Sequence, residues 1–282
     1  MNRALRLVPA YLLLVAVGVA TVAPLVWMAF TSLHKPLSPP PTVQTLFDPQ
    51  QWTTPPLANY RRVLSIPELP VWRFAVNSVV VTSGVVTLQV LLCTFAAYGF
   101  ARLRFFGRDT LFFAFLLTMM IPAQVMIVPL YVIVAKLGWL NTYAGLIIPF
   151  PYLSTAFGTF LLRQFFVTIP RALDDAARID GCGELGILRH VIVPSAKPAI
   201  ITVAVFAFIW TWTDFYWPLL VGSSMNLRTL ETGLSVFKDS YGGTNWPLQM
   251  TAAMVVVAPV LVIFLVMQRF FVRGVVMSGI KG

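Results

Sequence analysis

The sequence predicts an all-α integral membrane protein with six transmembrane helices. Of its 282 residues, 58% are hydrophobic and only 11% are charged, whereas soluble domains carry about 25% charged residues. Six apolar runs follow one another, and each is long enough to cross a hydrocarbon core, which takes about 20 helical residues. The two-residue alternation of a membrane β-barrel is absent. Since backbone polar groups in lipid must be satisfied within a helix or a closed barrel, we expect helices.

Five of the apolar runs contain no Lys, Arg, Asp or Glu, and the sixth is broken only by Asp214. We expect a single transmembrane permease-like domain over residues 1–282, with a charged segment at 170–193 between the fourth and fifth helices. The runs predict helices at about residues 8–31, 74–100, 110–135, 142–162, 198–221 and 247–270.

The positive charge of the chain follows its predicted membrane topology. The formal net charge is +10, which by itself would suit nucleic acid. If six crossings place both termini on one side, thirteen Lys and Arg residues lie on that side, and seven lie on the opposite side in longer loops. This bias is the positive-inside rule. We therefore expect both termini in the cytoplasm and no nucleic-acid partner.

The segment 170–193 has the pattern of a helix, a glycine turn and a second helix. Gly181 permits the positive φ at which a chain turns sharply after a helix. Opposite charges on the first helix have the i,i+4 spacing of local ion pairs, and these are Arg171 with Asp175 and Asp174 with Arg178. On the second helix, Leu185, Leu188 and Ile192 are expected to share one face. The residues alone leave two interpretations open, a self-paired solvated loop or a docking surface for another protein.

Two features inside the apolar runs suggest a path or a hinge. Pro122 and Pro129 remove helix hydrogen bonds from the third run, which membrane proteins tolerate beside a cavity or a neighbouring helix. Inert kinks are the alternative. Asp214 is an acid within the fifth run and lies among aromatic residues. Such an acid is a functional candidate by default, and it would either contact a sugar or cap and pair helices.

The motifs resemble those of one transporter family. The spacing Asp175-Ala-Ala-x-x-Asp180-Gly181, followed by Pro194 and Pro198, is similar to the EAA loop of ABC-transporter permease subunits. Asp175 stands where that motif has glutamate. Further stretches resemble the type I carbohydrate-uptake permeases, the family of the inner subunit of the maltose importer; these are NS at 77–78, AYGFARLRFFGRD at 97–109, IPAQVMIVPLY at 121–131, WTDFYWPL at 212–219, and QRFFVRG with SGIKG near the end of the chain.

The resemblance implies a role for the segment 170–193, which we call the coupling segment. In that family it is the cytoplasmic coupling helix that fits a groove on a separate ATPase. The residues implied in ATPase coupling are Asp175, Ala176, Ala177, Asp180, Gly181 and Glu184. The candidates for a substrate path, taken from the resemblance and from the polar and aromatic residues of the membrane runs, are Asn77, Gln124, Trp212, Asp214 and Tyr216.

Missing motifs indicate a transport subunit and not an enzyme. The sequence has no G-x-x-x-x-G-K-[ST] phosphate loop, so ATP and Mg²⁺ are expected on a partner and no cofactor on this chain. It also has no G-x-S-x-G or H-E-x-x-H motif. Two cysteines and two histidines give no metal-site spacing. We expect no catalytic and no metal-binding residue, and a membrane-embedded enzyme is poorly supported.

The resemblance implies a multi-pass subunit of a binding-protein-dependent importer in the plasma membrane of a prokaryote. Its expected partners are a second homologous permease, an ABC ATPase dimer, an extracytoplasmic solute-binding protein and membrane lipid. The expected cargo is a sugar or a related polar solute, whose identity stays open. The alternative is an ion-coupled secondary transporter without an ATPase. It would explain the six helices and Asp214, but it leaves the coupling segment unexplained.

Overall fold

The computed structural model describes residues 3–66, 69–240 and 245–279. Within these residues the chain is helical and has no β-strand, and one isolated bridge pairs His34 with Trp52. The α-helices are α1 (Arg3–Thr31), α2 (Ala58–Leu64), α3 (Val71–Arg102), α4 (Arg108–Leu117), α5 (Ala123–Lys136), α6 (Tyr143–Ile147), α7 (Thr155–Thr168), α8 (Arg171–Ile179), α9 (Glu184–Ile187), α10 (Val193–Ser195), α11 (Lys197–Trp212), α12 (Tyr216–Val221), α13 (Leu230–Ser240) and α14 (Trp246–Gly279).

Three described helices are long and apolar enough to cross a membrane, at Val8–Thr31, Val71–Arg102 and Trp246–Met267. Two sharply bent pairs raise the count to five if each pair is one span. These are Arg108–Met120 with Ala123–Lys136, bent by 98°, and Glu184–Ser195 with Lys197–Trp212, bent by 82°. The chain is therefore a multi-pass helical membrane protein, and the count of six stays a prediction. The two termini lie outside the described residues, so their side of the membrane stays a prediction as well.

Three predicted helices are broken where the sequence suggested continuous ones. The helix expected at 110–135 divides at Pro122, whose extended backbone (φ −59°, ψ 131°) and missing N–H end one helix and begin the next. The helix expected at 142–162 divides into α6, a 3₁₀ turn at Phe150–Leu153 and α7. The helix expected at 198–221 divides into α11 and α12. The helices expected at 8–31, 74–100 and 247–270 are continuous, with somewhat longer bounds.

The contacts divide the chain into two compact units. The first comprises Met1–Trp72 with Gly233–Pro259, and the second comprises Arg73–Thr232 with Val260–Gly282. In the first unit the buried amide of Asn59 donates to the carbonyls of Ser32 and His34, at 2.8 and 2.7 Å. These bonds fix the chain where α1 ends. The single domain expected over residues 1–282 stays a prediction.

The second unit contains two apolar clusters, and α3 contributes to both. The first cluster joins α3 to α7, to the coupling segment and to α11 through Cys93, Ala97, Tyr98, Phe166, Ala177, Ile187 and Ala199, among others. The second joins the other half of α3 to α5, α6 and α12 through Val81, Val85, Val134, Leu146, Trp217 and Val221, among others. Both halves of α3 are therefore packed against other helices.

Candidate coupling site and transport path

The turn of the coupling segment is built around Gly181, as the sequence predicts. Gly181 has a φ of +85°, which L-residues with a side chain rarely adopt. Its N–H donates to the Arg178 carbonyl at 3.0 Å, and the Cys182 N–H donates to the Ala177 carbonyl at 2.9 Å. This pair of bonds is the Schellman motif, which satisfies the last carbonyls of a helix. The motif ends α8 at Ile179 and lets the chain turn towards α9.

Apolar side chains of the coupling segment are exposed on the face that carries most of the expected docking residues. Ile179 is 87% exposed, Leu185 is 71% exposed and Leu173 is 46% exposed. Large exposed apolar side chains that lie together mark interaction surfaces. We call this face the coupling surface; it consists of Leu173, Asp175, Ala176, Ile179, Asp180, Gly181 and Leu185.

Two residues of the coupling segment lie differently from the sequence-based expectation. Ala177 is buried in the first apolar cluster, so it seats α8 on this chain and leaves little surface for a partner. Leu185 is exposed, whereas Leu188 and Ile192 are buried. The reason is that Leu188–Ile192 forms a π-helical turn. Its wider hydrogen-bond spacing breaks the 3.6-residue period that would place the three side chains on one face.

The ion pairs of the coupling segment differ from the predicted i,i+4 pairs. Arg178 donates to Asp175 Oδ1 at 3.1 Å and to Glu184 Oε1 at 3.0 Å. Asp174 is turned away from Arg178, and its Oδ2 lies 3.3 Å from Nε of Arg102 at the end of α3. The Asp174 and Arg102 side chains are only 5% and 3% exposed. Burial against the first apolar cluster therefore selects a distant partner over the local one.

Glu184 is held by its own chain on both carboxylate oxygens. Its Oε2 accepts a hydrogen bond of 2.5 Å from the Tyr98 hydroxyl, and its Oε1 accepts one from Arg178. These bonds, that of Tyr98 first, lower the pKa of the Glu184 carboxyl below its usual value. Glu184, which the sequence placed among the ATPase-contacting residues, therefore ties the start of α9 to α3.

Sequence reasoning missed Arg102, Asp174 and Tyr98 as functional residues. Arg102 and Tyr98 lie in the stretch 97–109 that carries part of the resemblance, but neither was assigned a role at the site. A local signal existed for Arg102, because it is the first charge after a long apolar run. Such a charge requires either solvent or a buried partner.

Three of the five candidate path residues come together at one cavity. Gln124, Asp214 and Tyr216 line a cavity of about 100 Å³ with Trp217 and apolar residues of α5. Gln124 reaches this position because α5 begins immediately after Pro122. The bend that the prolines predict therefore occurs at Pro122, and it places a polar residue in the first turn of α5.

Asp214 caps a helix, which is one of the two roles that the sequence left open, and its contact with a sugar stays a prediction. Its Oδ2 accepts a hydrogen bond of 3.3 Å from the Trp217 N–H in the first turn of α12, where the orphan N–H groups of a helix need an acceptor. The same residue lines the cavity with Gln124. Asp214 thus shapes the break between α11 and α12 and presents a carboxylate to the cavity.

Asn77 and Trp212 lie away from this cavity. Asn77 is buried, and its amide donates to the carbonyls of Asn226 and Arg228 at 2.9 Å each, while its Oδ1 accepts from the Tyr143 hydroxyl at 2.7 Å. Its hydrogen-bonding groups are occupied by its own chain. Trp212 is buried and lines a separate apolar cavity of about 390 Å³ with residues of α3, α11 and α14.

The chain matches the family described as binding-protein-dependent transport system inner membrane component over residues 89–277. It is 32% identical to the sulfoquinovosyl glycerol transport system permease protein SmoH of Agrobacterium fabrum, over 100% of this chain and 95% of that protein. It is 31% identical to the arabinooligosaccharides transport system permease protein AraQ of Halalkalibacterium halodurans, over 85% of this chain and 84% of that protein.

A solved structure has the same fold. It is the crystal structure of a bacterial ABC transporter involved in the import of the acidic polysaccharide alginate. One of its chains superposes with a TM-score of 0.78, covering 96% of this chain and 99% of that chain at 23% sequence identity.

Proposed function

Since this chain belongs to the family of binding-protein-dependent transport system inner membrane components, we propose that it forms, with a second homologous permease, the path through which a sugar or a related polar solute enters the cell. The family assignment leaves the ion-coupled secondary transporter without support. The relatives named above are permeases for an oligosaccharide and for a sugar-linked glycerol. They support a neutral or acidic carbohydrate as the class of cargo.

The coupling surface is the observation that carries the proposal. Ile179 ends the short amphipathic helix α8 and Leu185 lies in the first turn of α9; both are large, apolar and exposed, and the exposed Asp180 follows Ile179 directly. The Gly181 turn and the buried Asp174 and Ala177 fix this surface on the rest of the second unit. An apolar surface held in one conformation suits a groove on another protein, because little conformational entropy is lost on docking.

The protein that carries this groove is an ABC ATPase dimer. It binds the ATP and Mg²⁺ that this chain does not bind. The sequence has no phosphate-binding loop of its own, so the free energy for import comes from outside the chain. With the coupling segment on the cytoplasmic side, both termini are cytoplasmic. An extracytoplasmic binding protein then delivers the solute to the opposite side of a prokaryotic plasma membrane.

The cavity of Gln124, Asp214 and Tyr216 is the part of the chain suited to meet the solute. An amide, a carboxylate and a phenol ring provide hydrogen-bond acceptors, donors and an aromatic face, which are the groups that bind sugar hydroxyls and sugar rings. Asn77, which is saturated by its own chain, supports the path structurally.

Uptake by cells with and without the gene tests the proposal. Radiolabelled arabino-oligosaccharides and sulfoquinovosyl glycerol are the first probes, and a neutral amino acid serves as the control solute. The proposal predicts that deletion abolishes ATP-dependent uptake of a carbohydrate probe and leaves amino-acid uptake intact. Carbohydrate uptake that follows the ion gradient and persists without ATP would contradict it.

A further inference from the structure

The helix α3 is attached at one end to the coupling segment and at the other end to residues 226–230. It has 32 residues and is therefore about 48 Å long at 1.5 Å per residue. Near its start, Asn77 donates to the carbonyls of Asn226 and Arg228, and the Ser78 hydroxyl accepts from the Leu230 N–H at 2.7 Å. These bonds attach the backbone of residues 226–230 to two side chains near the start of α3.

At the other end of α3, Arg102 makes two contacts with the coupling segment and the turn before it. Its Nη2 donates to the Ile169 carbonyl at 2.9 Å, and its Nε lies 3.3 Å from Asp174 Oδ2. One turn earlier, the Tyr98 hydroxyl binds Glu184 on the far side of the Gly181 turn. Both halves of the coupling segment are thus attached to the same helix.

The ion pair of Arg102 with Asp174 is buried, and this sets its mechanical strength. Exposed ion pairs are screened by solvent and contribute little to stability. The pair of Arg178 with Asp175 is exposed. A buried pair is screened much less, and loss of one partner leaves an uncompensated charge in a medium of low dielectric constant. Separation of α8 from α3 is therefore costly, so the two are expected to move together.

The hydrogen bonding of this pair is incomplete. The 3.3 Å contact meets the distance of an ion pair, but Nε of Arg102 and Oδ1 of Asp174 have no hydrogen-bond partner within the described residues. Buried polar groups without a partner are rare, and each requires a reason. If binding of another protein to the coupling surface brings Arg102 and Asp174 closer together, a hydrogen bond between them would satisfy these unpaired atoms.

We infer that Arg102 and Asp174 form the joint through which a displacement of α8 moves α3 and, along it, the 226–230 segment at the opposite end. Both are positioning residues, since neither lies on the coupling surface or at the path cavity. The inference rests on the proposed function for the source of the displacement. The rigid attachment itself depends only on contacts within the second unit.

The test uses the full chain with its co-purified partners in lipid nanodiscs, in a Cys93→Ala, Cys182→Ala background. Spin labels on Arg171→Cys in α8 and Val79→Cys in α3, both exposed positions, report the distance between the two helices. A label on Val79→Cys alone reports movement of α3 when Mg-ATP is added. The variants are Arg102→Met, Asp174→Asn, Arg102→Lys and the exchange Arg102→Asp with Asp174→Arg.

With Arg102 and Asp174 unchanged, we expect one narrow distribution of the distance between the labels at positions 171 and 79, both with and without Mg-ATP. We also expect Mg-ATP to change the spin-label spectrum of the protein labelled at position 79 alone. Arg102→Met and Asp174→Asn should broaden the distribution and abolish the ATP-dependent change. The charge exchange should restore both signals, and Arg102→Lys should restore them in part, because an ammonium lacks the planar fork that serves two acceptors. A merely structural role would lower the yield of the complex without this rescue.

Two results would overturn the inference. One is Arg102→Met with a narrow distribution and an intact ATP-dependent change. The other, decisive even if Arg102→Met does not assemble, is a folded charge-exchange variant that lacks both signals. Failure of the proposed function has a different signature. No ATPase would accompany the unmodified chain, and Mg-ATP would change nothing, although the distance distribution between the labels would still be narrow.

Discussion

The Tyr98 hydroxyl of α3 donates a hydrogen bond of 2.5 Å to Oε2 of Glu184, the first residue of α9. It joins a buried tyrosine to a carboxylate that also binds Arg178. The bond therefore connects the part of the coupling segment after Gly181 to the helix on which the part before Gly181 also rests.

This bond predicts a pH-dependent effect of Tyr98→Phe. The hydrogen bond to Tyr98, and then that to Arg178, lower the pKa of Glu184, so the folded state favours the carboxylate. A lowered pKa contributes stability above the ordinary carboxyl pKa of about 4.3, and that stability is lost as the pH falls through the lower folded value. We expect Tyr98→Phe to unfold at a lower temperature than the unmodified chain at pH 7, and the difference to shrink below about pH 4.

Tyr143→Phe is the matched control for this experiment. The Tyr143 hydroxyl donates to the neutral amide oxygen of Asn77, which does not titrate in this range. Its destabilisation should be the same at pH 7 and at about pH 3, below the ordinary carboxyl pKa. Thermal unfolding in detergent at the two pH values measures both variants, and an equal pH dependence for the two would contradict the role of Glu184.

Gly181→Ala is expected to weaken the coupling surface without damaging the membrane helices. An alanine at a φ of +85° costs about 1–2 kcal/mol, and an added Cβ meets no atom of the chain within 4 Å. The effect is thus on the backbone conformation of the turn. We expect reduced ATP-driven uptake per assembled complex, and Gly183→Ala, which has a φ of −75° and equally open surroundings, should be neutral. Equal uptake by Gly181→Ala and Gly183→Ala would show that ATP-driven uptake does not depend on the conformation of this turn.

Ile179→Ser should weaken association with the ATPase, because Ile179 is the most exposed large apolar side chain of the coupling surface. Truncating a central apolar contact costs about 2 kcal/mol, which is roughly a 30-fold loss of affinity. Val167→Ser removes an exposed apolar side chain of α7 outside the coupling surface and serves as the control. The amount of ATPase retained per permease after mild-detergent purification measures both. Equal retention would place the docking surface elsewhere.

Asn77→Ala and Gln124→Ala separate structural support from contact with the solute. Loss of the Asn77 amide leaves two carbonyls and the Tyr143 hydroxyl without their partner, at a cost of about 1–3 kcal/mol for a buried group. Gln124→Ala removes a polar side chain from the cavity and should leave the unfolding temperature nearly unchanged. We expect Gln124→Ala to raise the solute concentration for half-maximal uptake. Unchanged transport by Gln124→Ala would argue against this cavity as the path.

Local features of the site could be predicted from the sequence, whereas its long-range contacts could not. The turn at Gly181 follows from the residue type and the helical pattern before it, and its φ of +85° agrees. The partner of Asp174 could not be predicted, because the i,i+4 rule compares only neighbours on one helix, whereas burial pairs Asp174 with Arg102.

The same distinction holds for the fold. Composition and the apolar runs were sufficient to predict a helical membrane protein, and Pro122 to predict a bend. The 98° angle at that bend depends on how α5 packs against α6 and α12 through the second apolar cluster, which a proline does not determine. The π-turn at Leu188–Ile192 likewise has no signature in hydrophobic periodicity, and Leu185 was placed on the wrong face for that reason.

Photo-crosslinking from position 179 in native membranes shows directly whether the coupling surface contacts an ABC ATPase. A photoreactive phenylalanine analogue replaces Ile179, the exposed apolar residue of the coupling surface, and the same analogue at Val167 is the control. We expect light to attach the chain at position 179 to an ABC ATPase, identified by mass spectrometry, and we expect no such product from position 167. Attachment of position 179 to lipid alone, in a complex that still contains the ATPase, would contradict the assignment of this surface to coupling.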